Sequence, residues 1–220
     1  MIPLKDDIRS KSFPFFTWLI ILANAIAFYF ELKQGSQNYL EKFIQTWAVI
    51  PKQLFSDTGR HWFTVFTATF IHGGWMHIIF NMLFLHVFGD NVEDRLGHIK
   101  FLIFYLLLGV IANTAQAYTS PTSLIPLIGA SGAISGILGA YFFYYPHSRI
   151  VTLIPIGFFI TIREIPAFFF LGVWFFLQML NGKFSNVTGG GTAWWAHASG
   201  FVAGMILAPV FGGKTSTRNR

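Results

Sequence analysis

Apolar stretches separated by short polar connections divide the chain into candidate membrane helices. A helix of about 20 residues crosses a bilayer core of about 30 Å, and five stretches have about that length: 13–31, 72–89, 101–118, 163–180 and 194–211. A sixth stretch, 129–145, is rich in small residues, which suits a helix buried among other helices. The pattern therefore predicts an all-α polytopic membrane protein with six transmembrane helices.

The apolar run at 150–162 does not fit this pattern. It has only 13 residues, contains Pro155 and lies between Arg149 and Arg163. As a helix at 1.5 Å per residue it would extend about 20 Å, less than the thickness of the core. We expect it to form a membrane-surface or re-entrant connection.

The predicted spans make one membrane domain, 13–211, between a short N-terminal tail (1–12) and a C-terminal tail (212–220). The first loop, 32–71, is long and mixes tryptophan and phenylalanine with charged residues, which indicates a structure lying partly among the lipid headgroups.

Basic residues indicate how the helices are oriented. Cytoplasmic connections of membrane proteins carry an excess of lysine and arginine. With the two tails and the second and fourth loops on one side, that side holds ten of the 15 basic residues: Lys5, Arg9, Lys11, Arg95, Lys100, Arg149, Arg163, Lys214, Arg218 and Arg220. Both termini are therefore predicted to be cytoplasmic.

Composition supports a membrane protein and excludes other classes. Hydrophobic residues make up 54% and charged residues 11% of the chain, against roughly a quarter charged in soluble domains. The absence of cysteine excludes disulfides, thiolate nucleophiles and cysteine-ligated metal sites. The net charge of +6 is spread around the apolar stretches, so nucleic-acid binding is not expected.

A serine among small residues opens the fourth predicted span, in the sequence Gly129-Ala130-Ser131-Gly132. Its hydroxyl could react while the unpaired N–H groups of the first helical turn stabilise an oxyanion. The structural alternative is that Gly132 and Gly136 form a helix-packing face and that Ser131 is a small residue with no catalytic role.

A histidine, His197, lies near the start of the last span, followed by Gly200 and Gly204. Histidine serves as a general base near neutral pH, and two glycines four residues apart form a flat strip on a helix. Packing of this strip against Gly132 and Gly136 would bring His197 close to Ser131. The alternative is a buried histidine bonded to a backbone carbonyl.

His77 and Asn81 in the second span are four residues apart and share one helical face, where two side-chain donors could point at an oxyanion. The alternatives are an interhelical hydrogen-bond clamp, or a metal pair of His77 with His72. The sequence contains no HExxH motif and no obvious third ligand, so no metal is expected.

Acidic residues are missing from the interior of the predicted spans, which excludes a paired-aspartate site: Asp6, Asp7, Glu31, Glu41, Asp57, Asp90, Glu93, Asp94 and Glu164 lie outside the spans or at their edges. Without a carboxylate to orient His197, the residues predict a Ser/His dyad whose imidazole is held by packing or by a neutral group.

Four motifs together resemble the rhomboid family of intramembrane serine proteases. They occur in the family's order and on the expected spans: HGGWMHIIFN (72–81), GDNVEDRLG (89–97), GASG (129–132) and AHASGFVAG (196–204). The resemblance implies a serine endopeptidase that cleaves transmembrane proteins near a small-residue, helix-destabilised segment, without metal or other cofactor.

By motif match, the resemblance implies that Ser131 is the nucleophile and His197 the general base. His77, Asn81 and Gly129, with the Ser131 backbone N–H, would stabilise the oxyanion and the substrate. Glu93 and Arg95 match structural positions of the family's second loop. The loop before the fourth span and the loop at 181–193 would lie over the site, on the non-cytoplasmic side.

Two positions depart from the family pattern. A Trp-Arg pair common in the first loop is replaced by Trp62-Phe63. Ser135 stands where some members have an aromatic ring packed on the catalytic histidine.

Two other functions fit the same residues. One is a catalytically inactive rhomboid-like protein that binds membrane proteins, which the complete Ser/His/His/Asn set disfavours. The other is a small-solute transporter, which the lack of an internal repeat disfavours. The expected location is a bacterial inner (plasma) membrane, with organelle membranes left open. The physiological substrate and the oligomeric state also stay open.

Overall fold

The computed structural model describes residues 1–157, 159–184 and 192–212, and this part of the chain is mostly helical. The remaining residues, which include most of the predicted C-terminal tail, lie outside the described part. In chain order, the elements are strand β1 (Ile2–Asp6), helix α1 (Phe15–Leu32), four short helices α2 (Gln37–Trp47), α3 (Pro51–Ser56), α4 (Thr58–His61) and α5 (Thr64–Thr67), a 3-10 turn (Ala68–Phe70), helices α6 (Trp75–Leu96), α7 (His98–Thr119) and α8 (Ser131–Tyr144), strands β2 (Arg149–Ile156) and β3 (Phe159–Pro166), and helices α9 (Ala167–Phe184) and α10 (Trp194–Gly212).

Four of the described helices, α1, α7, α9 and α10, are long and apolar enough to cross a membrane. A fifth candidate is the pair formed by Thr58–Phe70 and α6, which are bent by 80° relative to each other. Helix α8 has 14 residues, about 21 Å of helix, and ten of its residues are buried. Each of the six segments expected from the sequence therefore contains a helix, although 163–166 of the segment 163–180 belong to strand β3 and α9 begins at Ala167.

The long helices alternate in direction. The backbone N–H of Phe16, at the start of α1, donates to Glu93, near the end of α6, at 2.9 Å. At the opposite end of α1, the carboxylate of Glu31 accepts from the N–H of His72 at 2.9 Å, just before α6 begins. Strand β1 pairs with β2, so the N-terminal segment and the connection after α8 lie at the same end of the molecule.

Glu93 holds the start of α1 in place. Its fully buried carboxylate accepts from the backbone N–H groups of Phe16 and Thr17, from the Thr17 hydroxyl at 2.8 Å, and contacts His98 Nδ1 at 2.6 Å. The first N–H groups of a helix have no partner within it, and the positive end of the helix dipole favours an anion there. Nearby, Arg95 lies 5.1 Å from the ring centroid of Tyr144. Both residues of the second-loop motif are therefore engaged in structural contacts.

Helices α8 and α10 pack backbone against backbone. A Cβ atom at Gly200 would overlap the carbonyl oxygen of Gly132, and one at Gly204 would overlap that of Gly136. At Gly139, a Cβ would overlap a carbonyl oxygen of α10. The expected packing of the two glycine strips is therefore confirmed.

The segment after α8, which was expected to be a membrane-surface or re-entrant connection, is a β-hairpin. Strands β2 and β3 pair antiparallel, and β1 joins the other edge of β2 to complete a sheet of order β1-β2-β3. Ile150 and Thr152 are fully buried on one face of β2, and β-branched residues favour extended backbone. The expectation of an exclusively helical fold was therefore wrong here, because the apolar run at 150–162 is too short to cross the membrane as a helix and pairs with itself and with β1 as strands.

The sheet joins the helices through Asp6 at the end of β1. Its carboxylate accepts hydrogen bonds from the hydroxyl of Tyr141 on α8 and from Asn91 Nδ2 on α6, the latter at 2.8 Å. Burial disfavours the charged carboxylate and raises the pKa of Asp6 to about 6.

We predict that Gly204→Ala destabilises the fold, because its methyl group would meet a backbone carbonyl that cannot rotate away. The expected loss is about 1–3 kcal/mol in the free energy of unfolding, measured by reversible unfolding in detergent micelles. The matched control is Gly172→Ala on α9, where no atom lies within 4 Å of the new methyl group. Equal losses in both variants would contradict the packing argument.

We also predict that Asp6 makes stability depend on pH. The unfolded carboxyl loses its proton near pH 3.8, whereas the folded one keeps it up to about pH 6. Between these values the folded state binds more protons, so the Asp6 contribution to stability falls as pH rises from about 4 through 6. The melting temperature of Asp6→Asn relative to wild type should therefore rise between pH 4.5 and 7, and a constant difference would rule this out.

Candidate active site

Ser131 is the first residue of α8. Gly129, two residues earlier, has a φ of +119°, and its N–H donates to the carbonyl of Ala68 at 2.9 Å. This turn directs the chain from the loop into the buried helix. Because Ser131 stands in the first turn, its backbone N–H has no carbonyl partner within the helix and can serve another acceptor.

Ser131 and His197 form a hydrogen bond across the α8–α10 contact. The distance between Ser131 Oγ and His197 Nε2 is 2.7 Å, and His197 is 9% exposed in the first turn of α10. The glycine strips let the two helices approach closely enough for this short side chain to reach the ring. The two residues singled out from the sequence are therefore in direct contact.

The other ring nitrogen of His197 contacts a residue that the sequence analysis did not single out. His197 Nδ1 lies 2.8 Å from Oε1 of Gln178 on α9, and Gln178 is 7% exposed. The rings of Trp174 and Trp194 have centroids 6.0 Å and 6.2 Å from that of His197. The sequence does contain a signal for Gln178, because it is a lone glutamine within an apolar span and a polar side chain at membrane depth needs a partner.

His77 and Asn81 project from α6 toward the same place. The N–H of Gly73 donates to His77 Nδ1 at 3.3 Å, so the neutral ring carries its proton on Nε2. That Nε2 lies 2.7 Å from where a Cβ at Gly129 would stand. Asn81 Nδ2 is buried and has no hydrogen-bond partner among the described residues. Two side-chain donors therefore face the Ser131 region.

These groups open into a cavity of about 780 Å³. The connection before α8 forms part of its wall, as expected for that loop, and two described residues before α10 form another part. The expected role of residues 185–191 lies outside the described residues. The cavity is lined by Gly73, Met76, His77, Phe80, Asn81, Ile125, Pro126, Leu127, Ile128, Ser131, Thr192, Ala193 and His197.

Ser135 and Phe63, the two residues that depart from the family pattern, each make a local contact. The hydroxyl of Ser135 donates to the backbone carbonyl of Ser131 at 2.6 Å and does not bond to His197. Phe63 packs edge-on against Trp47 with ring centroids 6.1 Å apart, so it contributes an aromatic contact within the first loop.

The described residues contain no group of three or more histidine, cysteine, aspartate or glutamate side chains arranged to hold a metal ion. His72 and His77 have ring centroids 5.1 Å apart, but His77 Nδ1 is already an acceptor for Gly73. The polar side chains that line the cavity are thus the hydroxyls of Ser131 and Thr192, the imidazoles of His77 and His197, and the carboxamide of Asn81.

Fold and site together define a multi-pass helical membrane protein with a Ser–His pair at the end of a buried helix. The profile of the rhomboid domain matches residues 59–214, which contain α6 to α10 and all the site residues described above. The chain belongs to the rhomboid family.

Curated relatives agree with this assignment. The chain is 28% identical over 138 residues to the rhomboid protease GlpG of Haemophilus influenzae, covering 63% of the chain and 64% of the relative. It is 32% identical over 145 residues to the rhomboid protease GluP of Bacillus subtilis (66% and 27%), and 29% identical over 153 residues to the chloroplastic rhomboid-like protein 11 of Arabidopsis thaliana (66% and 51%). The matches span less than two thirds of each relative's length.

We predict that Gly129→Ala displaces His77, because its methyl group would stand 2.7 Å from the imidazole Nε2. We expect the free energy of unfolding to fall by about 1–3 kcal/mol, from overpacking added to the backbone strain of a positive φ. The matched control is Gly97→Ala, which has a φ of +81° but no atom within 4 Å of the new methyl group. Unfolding in detergent should separate the two variants; a loss no larger at position 129 would mean that the ring moves freely.

Proposed function

We propose that the chain is an intramembrane serine endopeptidase in which Ser131 and His197 form the catalytic dyad. The observation that carries the proposal is the 2.7 Å distance between Ser131 Oγ and His197 Nε2 beside a cavity into which two further donors point. A nucleophile within hydrogen-bond reach of its base is the arrangement that acyl transfer requires.

In the first step, the Ser131 oxygen attacks the carbonyl carbon of a peptide bond while its proton passes to His197 Nε2. The tetrahedral intermediate then loses the amine, which takes the proton from His197, and an acyl-enzyme ester remains. A water molecule, deprotonated by His197, attacks that ester. The bond between the acyl carbon and the Ser131 oxygen then breaks, His197 returns the proton to the Ser131 oxygen, and the acyl fragment leaves as a carboxylic acid.

The negative charge on the carbonyl oxygen needs donors placed before the reaction starts. His77 Nε2–H, Asn81 Nδ2 and the Ser131 backbone N–H are the groups proposed for this role, and Gly129 keeps the space beside His77 free. The unpaired Asn81 amide supports the proposal, because a buried donor without a partner is unfavourable unless a bound group uses it.

We further propose six membrane crossings with both termini in the cytoplasm. The alternating helix directions and the excess of basic residues on one side support this topology. Helix α8 would cross as a short helix shielded by its neighbours. The cavity would then open away from the cytoplasm, and the substrates would be transmembrane proteins with small-residue segments, in a bacterial inner membrane. The Ser/His chemistry needs no cofactor.

We predict that a fluorophosphonate probe labels detergent-purified wild-type protein and fails to label Ser131→Ala. In His197→Ala, the labelling rate should fall at least about 10³-fold, because the hydroxyl loses its base. Cleavage of a test transmembrane substrate in proteoliposomes should be lost in parallel.

The matched control is Ser199→Ala, which removes a serine of α10 whose hydroxyl donates to the backbone carbonyl of Ala196 at 3.2 Å. Its labelling should equal that of wild type. Labelling that persists in Ser131→Ala would refute the nucleophile assignment. Absence of both labelling and cleavage from wild type would favour a catalytically inactive membrane-protein-binding rhomboid-like protein instead.

A further inference from the structure

The imidazole of His197 is held from both sides by neutral groups. Ser131 contacts its Nε2 at 2.7 Å and Gln178 contacts its Nδ1 at 2.8 Å. Among the described residues, these two supply the hydrogen bonds to the ring, and the titratable side chain that faces it is His77 of α6. The group on the far side of the ring from Ser131 is thus an amide, in the place where serine proteases of other folds have a carboxylate.

The orientation of the Gln178 amide follows from its second bond. Gln178 Nε2 donates to the backbone carbonyl of Trp174, one helical turn earlier on α9, at 3.3 Å. A carbonyl oxygen can only accept, so the NH₂ group must lie on that side and Oε1 must face His197. The acceptor Oε1 in turn requires the His197 proton on Nδ1, which leaves the Nε2 lone pair for the hydroxyl of Ser131.

The Nδ1–H form of His197 is not the tautomer that free histidine prefers. Neutral histidine in water carries its proton mainly on Nε2, a form in which Nε2 cannot accept the Ser131 proton. The buried Oε1 of Gln178 accepts a hydrogen bond from Nδ1–H and so favours that tautomer. Without Gln178, the Nδ1–H group would lie unpaired in an apolar setting, which is unfavourable. Gln178 is 7% exposed, so water competes little for its amide.

We propose that Gln178 is a positioning residue that holds His197 in the Nδ1–H tautomer and fixes the plane of its ring. The inference rests on the proposed protease function. Gln178 itself lies outside the described lining of the cavity and acts on Ser131 through His197. During attack, His197 gains a proton on Nε2 while its Nδ1–H stays bonded to Oε1, so the ring keeps its orientation through both proton transfers.

The test compares Gln178→Met with Gln178→Glu in detergent-purified protein, using cleavage of a test transmembrane substrate across a range of pH. Gln178→Met keeps the volume but removes the acceptor, and we expect kcat to fall about 10²-fold with KM changed less than about 2-fold. The loss should be smaller than the roughly 10⁴-fold caused by replacing the orienting aspartate of a serine protease, because an amide supplies orientation without a full countercharge.

Gln178→Glu restores an acceptor and adds a negative charge that stabilises the imidazolium. We expect kcat to recover to within about 10-fold of wild type at its optimum, with the acid limb of the pH–rate profile moved to higher pH. A residue that only fills space would give the opposite pattern, with the buried charge more harmful than the methionine and no movement of the profile.

A second readout does not depend on activity. In protein labelled with ¹⁵N-histidine, the side-chain ¹⁵N shifts should report a protonated Nδ1 for His197 in wild type and a shift toward a protonated Nε2 in Gln178→Met. The matched control is Gln34→Met, which removes the same kind of glutamine bond to a carbonyl one turn earlier, at 2.8 Å from Phe30 O, far from the ring.

Wild-type kcat and an unchanged tautomer in Gln178→Met would overturn the positioning role while leaving the dyad intact. A failure of the dyad is distinguishable, because Ser131→Ala would then retain labelling by the fluorophosphonate probe whatever stands at position 178. If Gln178→Met does not fold, the pH profile of Gln178→Glu decides, and a profile identical to that of wild type would overturn the proposal.

Discussion

The contact between α8 and α10 is the constraint on which the rest of the structure depends. At Gly200 and Gly204, the backbone of one helix occupies the space that a side chain would need on the other. In a bilayer, where hydrophobic burial does not drive helices together, such close backbone packing is a main source of association. The same contact brings Ser131 within 2.7 Å of His197, so stability and the geometry of the site come from one interface.

The structural hydrogen bonds and the candidate site lie at opposite ends of the helices. At one end, Glu93 caps α1 and Asp6 ties the sheet to α6 and α8 through buried hydrogen bonds. At the other end, polar groups face a cavity, and Asn81 Nδ2 has no hydrogen-bond partner within the described part of the chain. Buried polar groups that are hydrogen-bonded stabilise the fold, and the polar groups at the cavity are available to other partners.

The spans and the polar residues of the site could be predicted because length, small-residue spacing and isolated polar groups are local signals. The hairpin at β2 and β3 could not, since a short apolar run fits a strand as well as a helix until its partner is known. Gln178 was missed for a similar reason: its role depends on how α9 is rotated, so that the side chain faces His197 across the α9–α10 contact. The rotation of α9 about its own axis cannot be predicted from residue spacing within one helix.

The glycine contact between α8 and α10 can form only after α10 has been synthesised. Helix α8 is made before α10, and ribosomes add about 5–20 residues per second, so Ser131 exists for some seconds before His197 emerges. Until α10 inserts and docks, the short glycine-rich α8 lacks both its packing partner and the base beside its serine. A ribosome-bound or truncated chain that ends before α10 would therefore present Ser131 without His197 beside it.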